Sequence, residues 1–286
     1  MSETNVPPFA PEWLALREDA DARARAREPL GLIGDRGRVI ADLGCGTGSL
    51  GRWLAPRLLY PQHWVLFDRD PRLLAVAEHG VPGATTETRR RDLAALRPTD
   101  LGGCTLVVAS ALLDVLTLAA IGSLVRAVVG AGCPALFSLT VAGRVELSPA
   151  DPLDGAVARA FDAHQRRSGL LGPDAVDAAR AAFAEHDVAT RTFPSPWRLG
   201  GVPWVPPVAR GAARTGAAGG ALAEPEKEGA LMAEWLRGWV GAAKEQDPAL
   251  PADAYLERRL EQCSRGALFA IVHHTDLWAD PARDER

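Results

Sequence analysis

Between residues 39 and 51 the chain reads VIADLGCGTGSLG: an apolar run containing Asp42, then Gly44, Gly46, Gly48 and Gly51. Glycines this closely spaced let backbone pass beside a ligand and take positive φ where a turn needs it. Two chemistries fit the letters. Gly46 to Gly51 satisfies G-x-G-x-x-G, a turn that accepts a dinucleotide pyrophosphate and would serve hydride transfer. Asp42 to Gly48 instead reads D-x-G-x-G-x-G, with the apolar run ending where the turn begins. Its carboxylate suits a cationic group, such as the α-ammonium of a methionine-derived ligand. It suits a pyrophosphate badly, because that anion wants free amides and a helix dipole. Register also favours the second reading, since a start at Gly46 leaves Gly44 and Cys45 stranded between run and motif. Asp68, twenty residues past Gly48, can accept both hydroxyls of a ribose in either case. Asp70 is its rival, but Pro71 behind it marks Asp70 as a helix cap.

These residues need strands and helices to hold them. RVIADLG (38–44) reads as a strand whose glycine turn opens a helix to about Leu59, and HWVLFDRD (63–70) as a second strand. PRLLAVAEHG is a helix stopping at Gly80. TLVVAS (105–110) and ALFSLTV (135–141) are further strands, with SLVRAVVGAG as the helix between them. Asp174 to Glu185 reads as helical, DVATRTF (187–193) as extended, and ALFAIVHHTDL (267–277) as a final strand. Apolar strands alternating with helices predict an α/β fold: a doubly wound, mostly parallel sheet with ligands at the strand C-termini. An N-terminal helix from Pro11 to Arg27 precedes it. The segment 200–230, rich in Gly, Pro and Ala without periodicity, reads as a flexible surface loop or insertion.

The chain has 286 residues, net charge −4, and 47% hydrophobic and 24% charged residues. With no basic surplus, nucleic acid is not an expected partner. Cys45, Cys104, Cys133 and Cys263 lack ligand spacing, which suits reduced thiols. No apolar run reaches the ~18 residues of a membrane span, and no leader-like segment opens the chain, so a cytoplasmic protein is expected.

The ordered motifs resemble those of class I S-adenosylmethionine-dependent methyltransferases with a seven-stranded Rossmann-like fold, in a bacterial small-molecule branch. IADLGCGTG is similar to that family's first motif and VLFDRDPRLLAVA to its second, with Asp68 at the ribose position. RRRDLAAL (89–96) resembles the third, where Asp92 would meet the adenine amino group and Leu93 its edge. TLVVASALLDVL (105–116) resembles the fourth, the strand and loop that face the methyl group. The resemblance covers about residues 30–145 and the strands at 187–193 and 267–277. It departs at Thr105, where the family often carries Asp. It implies S-adenosylmethionine as cofactor, held by Asp42, Gly44, Gly46, Gly48, Asp68, Asp92, Leu93 and Ser110. It further implies one methyltransferase domain over 1–286: an N-terminal helical lid (1–30), a cofactor core (31–145), and substrate-side helices with closing strands (146–286).

Methyl transfer to oxygen, nitrogen or carbon of a small molecule needs alignment and a dry site, with a base only where the acceptor loses a proton. Asp114 is expected as base or substrate anchor, or as a helix-start carboxylate; His164 as base, or as a surface-helix histidine. Arg144 could grip a substrate carboxylate, or pair with Glu146. Trp197 and Arg198 could stack on and clamp an acceptor, or Trp197 could pack in a core. His273 and His274 point to opposite faces of one strand, so no metal site is expected. Trp235 and Trp239, at helical spacing, form a packing stripe or, failing that, an aromatic wall for a substrate. An NAD(P)-dependent oxidoreductase and a non-catalytic cofactor-binding partner stay as alternatives; a homodimer is left open.

Overall fold

The structure, a computed structural model, describes residues 10–59, 61–200 and 225–281. The chain divides into two compact units. The first comprises Met1–Gly143, Gln165–Pro196 and His273–Arg286; the second comprises Arg144–His164 and Trp197–Val272.

A sheet runs in the order β3 (Thr85–Arg90), β2 (His63–Asp68), β1 (Val39–Leu43), β4 (Leu106–Ser110), β5 (Ala135–Ser148), β8 (Phe269–Ala279), β6 (Thr190–Pro194). β3 through β5 are parallel, and β8 pairs antiparallel with β6. The central strands are short and almost wholly apolar, as strands covered on both faces must be. Alternation along them divides the core into two layers. Ala41, Leu43, Val65, Phe67, Val107, Ala109 and Phe137 face α5 (Leu118–Ala131) and α7 (Ala175–Ala184). Ile40, Trp64, Leu66, Leu106, Val108 and Leu136 face α3 (Ser49–Leu54) and α4 (Pro71–Ala77). Helices on both faces make the sheet doubly wound, as expected.

Local chemistry sets the helix ends. Asp70 caps α4 by accepting the Arg72 amide, with Pro71 in the first turn. Thr117 caps α5, and Gly132 ends it in the left-handed region at φ +65. Thr105, the departure from the motif, accepts the amides of Arg38 and Val39 and donates to the Arg36 carbonyl, tying the starts of β1 and β4 together. On β8 the buried Asp276 accepts the Leu139 amide at 2.8 Å and the Ala26 amide at 3.0 Å. It thus satisfies a β5 residue that sits at φ +57.

Three sequence expectations need correction. The helix after the glycine turn ends at Leu54 and continues as a 3-10 turn over Ala55–Arg57, because Pro56 has no amide proton for the next α-helical bond. The strand expected over 135–141 runs to Ser148. The loop expected over 200–230 is helical from Pro225, the start of α8 (Pro225–Gln246); its residues 201–224 lie outside the described ones.

The second unit packs α8 and α9 (Ala252–Ser264), with α6 (Asp154–Gln165) and β7 (Trp197–Leu199), which pairs with the first residues of β8. Trp235 and Trp239 stack at 5.2 Å between centroids, and Tyr255 tilts against Trp239 at 6.3 Å. The fully buried Arg259 donates to the Pro149 carbonyl at 2.7 Å, to Gln262 at 2.8 Å and to Asp154, whose carboxylate also takes the Tyr255 hydroxyl at 2.6 Å.

Candidate functional site

The site lies at the C-terminal ends of β1 to β4, all within the first unit. Where β1 ends, Gly44, Gly46 and Gly48 take φ values of +66, +55 and +84. Side chains are strained there, so the turn requires glycine. A Cβ on Gly44 would also come within 3.1 Å of Leu112. Gly51 has no such φ and lies inside α3, where its bare Cα lets Val81 pack close. The turn is anchored from β2: the Asp68 carboxylate accepts the Gly46 amide at 3.0 Å and the Asp70 amide at 2.9 Å.

The turn forms the floor of a cavity of about 630 Å³, a size suited to one small ligand. Asp42, Gly44, Gly46, Asp68, Asp92, Leu93 and Ser110 all line it, so seven of the residues expected at the cofactor meet on one surface. Gly48 stands just behind, closing the turn by donating its amide to the Cys45 carbonyl. The opposite wall comes from α1 (Pro11–Ala24) through Leu14, Arg17 and Asp21, and from Leu112, Val115 and Leu116 after β4.

Asp42 dominates the electrostatics. It is 1% exposed, and neither carboxylate oxygen has a hydrogen-bond partner. Burial pushes its carboxyl up to about 7; the nearby Arg25 charge works against that shift and the Asp68 carboxylate adds to it. Asp70 behaves oppositely: hydrogen bonds from the Arg72 guanidinium and amide hold its carboxyl at about 2, as its capping role demands. Asp92 spends one oxygen on the Ala94 amide at 2.9 Å, capping the turn that carries Leu93.

The acceptor-side expectations fare differently. Asp114 sits in the 3-10 turn Leu113–Val115, but its side chain is buried and is not part of the cavity wall. Burial pushes its carboxyl up to about 6 while a bond with its own backbone amide pulls the other way. His164, Arg144, Trp197 and Arg198 all belong to the second unit. There His164 contacts Glu245 at 3.1 Å, Arg144 pairs with Glu146 at 2.6 Å, Trp197 is buried and Arg198 is exposed on β7. Among the described residues no group of His, Cys, Asp or Glu could hold a metal ion, and no helix is long and apolar enough to cross a membrane.

Residue-level reading of the sequence missed the contribution of α1. Leu14, Arg17 and Asp21 fall at i, i+3 and i+7, one helix face, a spacing that was available as a signal. Arg17 and Asp21 form a two-pronged pair at 3.0 to 3.2 Å. Arg52 donates to Glu18 through Nε and Nη2 and to the Thr47 carbonyl through Nη1 at 2.7 Å, fastening α1 to the glycine turn.

Residues 40–131, which hold β1, the glycine turn, Asp68, Asp92 and β4, match the family model described as a methyltransferase domain. Over these residues the chain is similar to a methyltransferase domain. The second unit lies outside the matched residues. Among solved structures the chain is similar to a TehB-like S-adenosylmethionine-dependent methyltransferase from Corynebacterium glutamicum, with 17% identity over 64% of this chain and 83% of that one and a TM-score of 0.37. It is also similar to an S-adenosylmethionine-dependent methyltransferase from Geobacter sulfurreducens in complex with S-adenosyl-L-homocysteine, with 14% identity, coverages of 94% and 97%, and a TM-score of 0.42. No curated protein matches the chain.

Proposed function

We propose that the chain methylates a small molecule and that the cavity over β1 to β4 holds the cofactor. The observation that carries this reading is Asp42: a buried carboxylate, both oxygens unpartnered, in the floor of a glycine-lined cavity. An isolated buried charge is costly, and an ammonium group from a ligand removes that cost. A pyrophosphate would add to it, which argues against a dinucleotide in the same place.

When bound, S-adenosylmethionine supplies a methyl group already activated on a sulfonium. The residues of this chain align and shield. Asp42 takes the ammonium. Gly44 to Gly48 allow close backbone approach. Asp68, fixed by the Gly46 and Asp70 amides, offers its remaining lone pairs to the ribose hydroxyls. Asp92 keeps one oxygen for the adenine amino group, and Leu93 packs against the ring. On the β4 side, Ser110 marks the cofactor boundary, and Leu14, Leu112, Val115 and Leu116 keep water from the reacting atoms. This reading assigns no base to Asp114 or His164, because the transfer rests on alignment and desolvation.

Calorimetric titration with S-adenosylhomocysteine, with NADH as control, tests it. Micromolar binding of the first, roughly −8 kcal/mol, and silence toward the second are expected. NADH binding without S-adenosylhomocysteine binding overturns the reading.

A further inference from the structure

Behind the cavity wall lies a second unfinished charge. Arg25, just past α1, is 3% exposed. Its guanidinium stands 5.6 Å from the Trp53 ring centroid. Nη2 donates to Ser110 Oγ at 3.2 Å and to Ser49 Oγ at 3.4 Å, while Nε and Nη1 have no hydrogen-bond partner. The carboxylates around it have other duties. Asp276 is committed to the Leu139 and Ala26 amides, and Asp21 accepts from Arg17. Asp42 makes no bond to it. A guanidinium buried with two nitrogens unpaired is a poor way to stabilise a fold.

The two serines give it another use. Ser49 and Ser110 both line the cavity, one at the start of α3 beside the glycine turn and the other at the end of β4. A hydroxyl that accepts a hydrogen bond from a cation must aim its own proton elsewhere. Both serines are half-buried and line the cavity, where each hydroxyl proton can find an acceptor in a bound ligand. Two charge-assisted O–H donors facing one space suit an anionic oxygen. The floor beside them carries Asp42, which suits a cation. One ligand group satisfies both demands: the zwitterionic end of an amino acid.

We propose that Arg25, acting through the hydroxyls of Ser49 and Ser110, builds the subsite for the carboxylate of the cofactor's amino-acid end, while Asp42 takes its ammonium. The assignment rests on the cofactor reading of this cavity. Arg25 is then a positioning residue, and Ser49 and Ser110 are the contacts.

The test compares two ligands that share the adenosine and the thioether sulfur: S-adenosylhomocysteine, and 5′-methylthioadenosine, which lacks the amino-acid end. Calorimetry on wild type, Arg25→Met, Arg25→Lys and the double variant Ser49→Ala, Ser110→Ala gives each affinity, with near-ultraviolet circular dichroism reporting the fold. Arg25→Met and the double-serine variant are expected to bind S-adenosylhomocysteine at least tenfold more weakly, to bind 5′-methylthioadenosine within twofold of wild type, and Arg25→Lys to recover part of the loss. Should Arg25→Met fail to fold, the double-serine variant carries the test, since it keeps the buried guanidinium. Wild-type affinity for S-adenosylhomocysteine in that variant, or equal losses for both ligands, overturns the proposal. A wild-type protein that binds neither ligand overturns the cofactor reading and the subsite with it.

Discussion

Replacing Asp42 by Asn should make the ligand-free protein more stable and cofactor binding weaker, with the stability gain confined to higher pH. An unfolded chain ionises Asp42 with a pKa of about 3.9, whereas burial in the fold raises it to about 7. Between those values the native state holds a proton that the unfolded state has released. Native stability therefore falls as pH rises through that window, and the full penalty is present above pH 7. About three pH units correspond to roughly 4 kcal/mol as an upper figure. Asn carries no such penalty, but it still buries an amide whose desolvation costs about 1–3 kcal/mol. That cost does not change with pH. Between pH 5 and pH 8 the Asn variant should gain about 2–3 kcal/mol on wild type, roughly 4–10 °C in Tm for a chain of this size. Differential scanning calorimetry of both ligand-free proteins at the two pH values measures this. A Tm difference that stays constant from pH 5 to pH 8 refutes the argument, because it would mean that Asp42 is not held against its ionisation. Calorimetry at pH 8 should also show S-adenosylhomocysteine affinity reduced by an order of magnitude or more in the variant. Stability given up at a binding site is a common trade.

The same carboxyl predicts how binding follows pH. Only ionised Asp42 can take an ammonium, so wild-type affinity for S-adenosylhomocysteine should rise about tenfold from pH 6 to pH 8 for a group titrating near 7. The Asp42→Asn profile should be flat; parallel profiles would place the titrating group elsewhere. Gly44→Ala puts a Cβ at φ +66 and 3.1 Å from Leu112. A loss of about 1–3 kcal/mol should appear as a lower Tm together with weaker S-adenosylhomocysteine binding, and an unchanged Tm would show that the turn tolerates the side chain. In the second unit, Arg259→Met leaves the Pro149 carbonyl without its donor and Asp154 without its cation. Asp154 is 23% exposed and keeps the Tyr255 hydroxyl, so the loss should be about 2 kcal/mol rather than that of a fully buried pair, and thermal unfolding should shift down by about 4–8 °C. A shift within 1–2 °C would mean that the cluster relaxes to water.

The layered fold could be read in the sequence because each element announces itself locally. Apolar strands broken by helical periods leave few arrangements open, and Asp70-Pro71 or Gly132 sets a helix end through its own backbone chemistry. The glycine turn was equally plain, since positive φ at Gly44, Gly46 and Gly48 is a property of the residue type. Less legible were features set by a single competing residue, such as Pro56 cutting short the helix after the turn, or the strand from Ala135 that runs on to Ser148.

The site divides the same way. Asp42, Asp68 and Asp92 could be placed because each closes a strand or caps the turn after it, so chain order alone puts them at one edge of the sheet. Whether Asp114 or its neighbours reach the cavity depends on the rotation of one 3-10 turn, and there the wall took Leu112, Val115 and Leu116. Arg25 could not be found at all in an N-terminal segment of alternating Arg, Asp and Ala. Its burial beside Ser49 and Ser110, 24 and 85 positions away, is a product of tertiary packing. Local signals fix where backbone turns and strands end. Which charges are stripped of water, and left for a ligand to complete, depends on every element packed around them, and only the folded chain decides it.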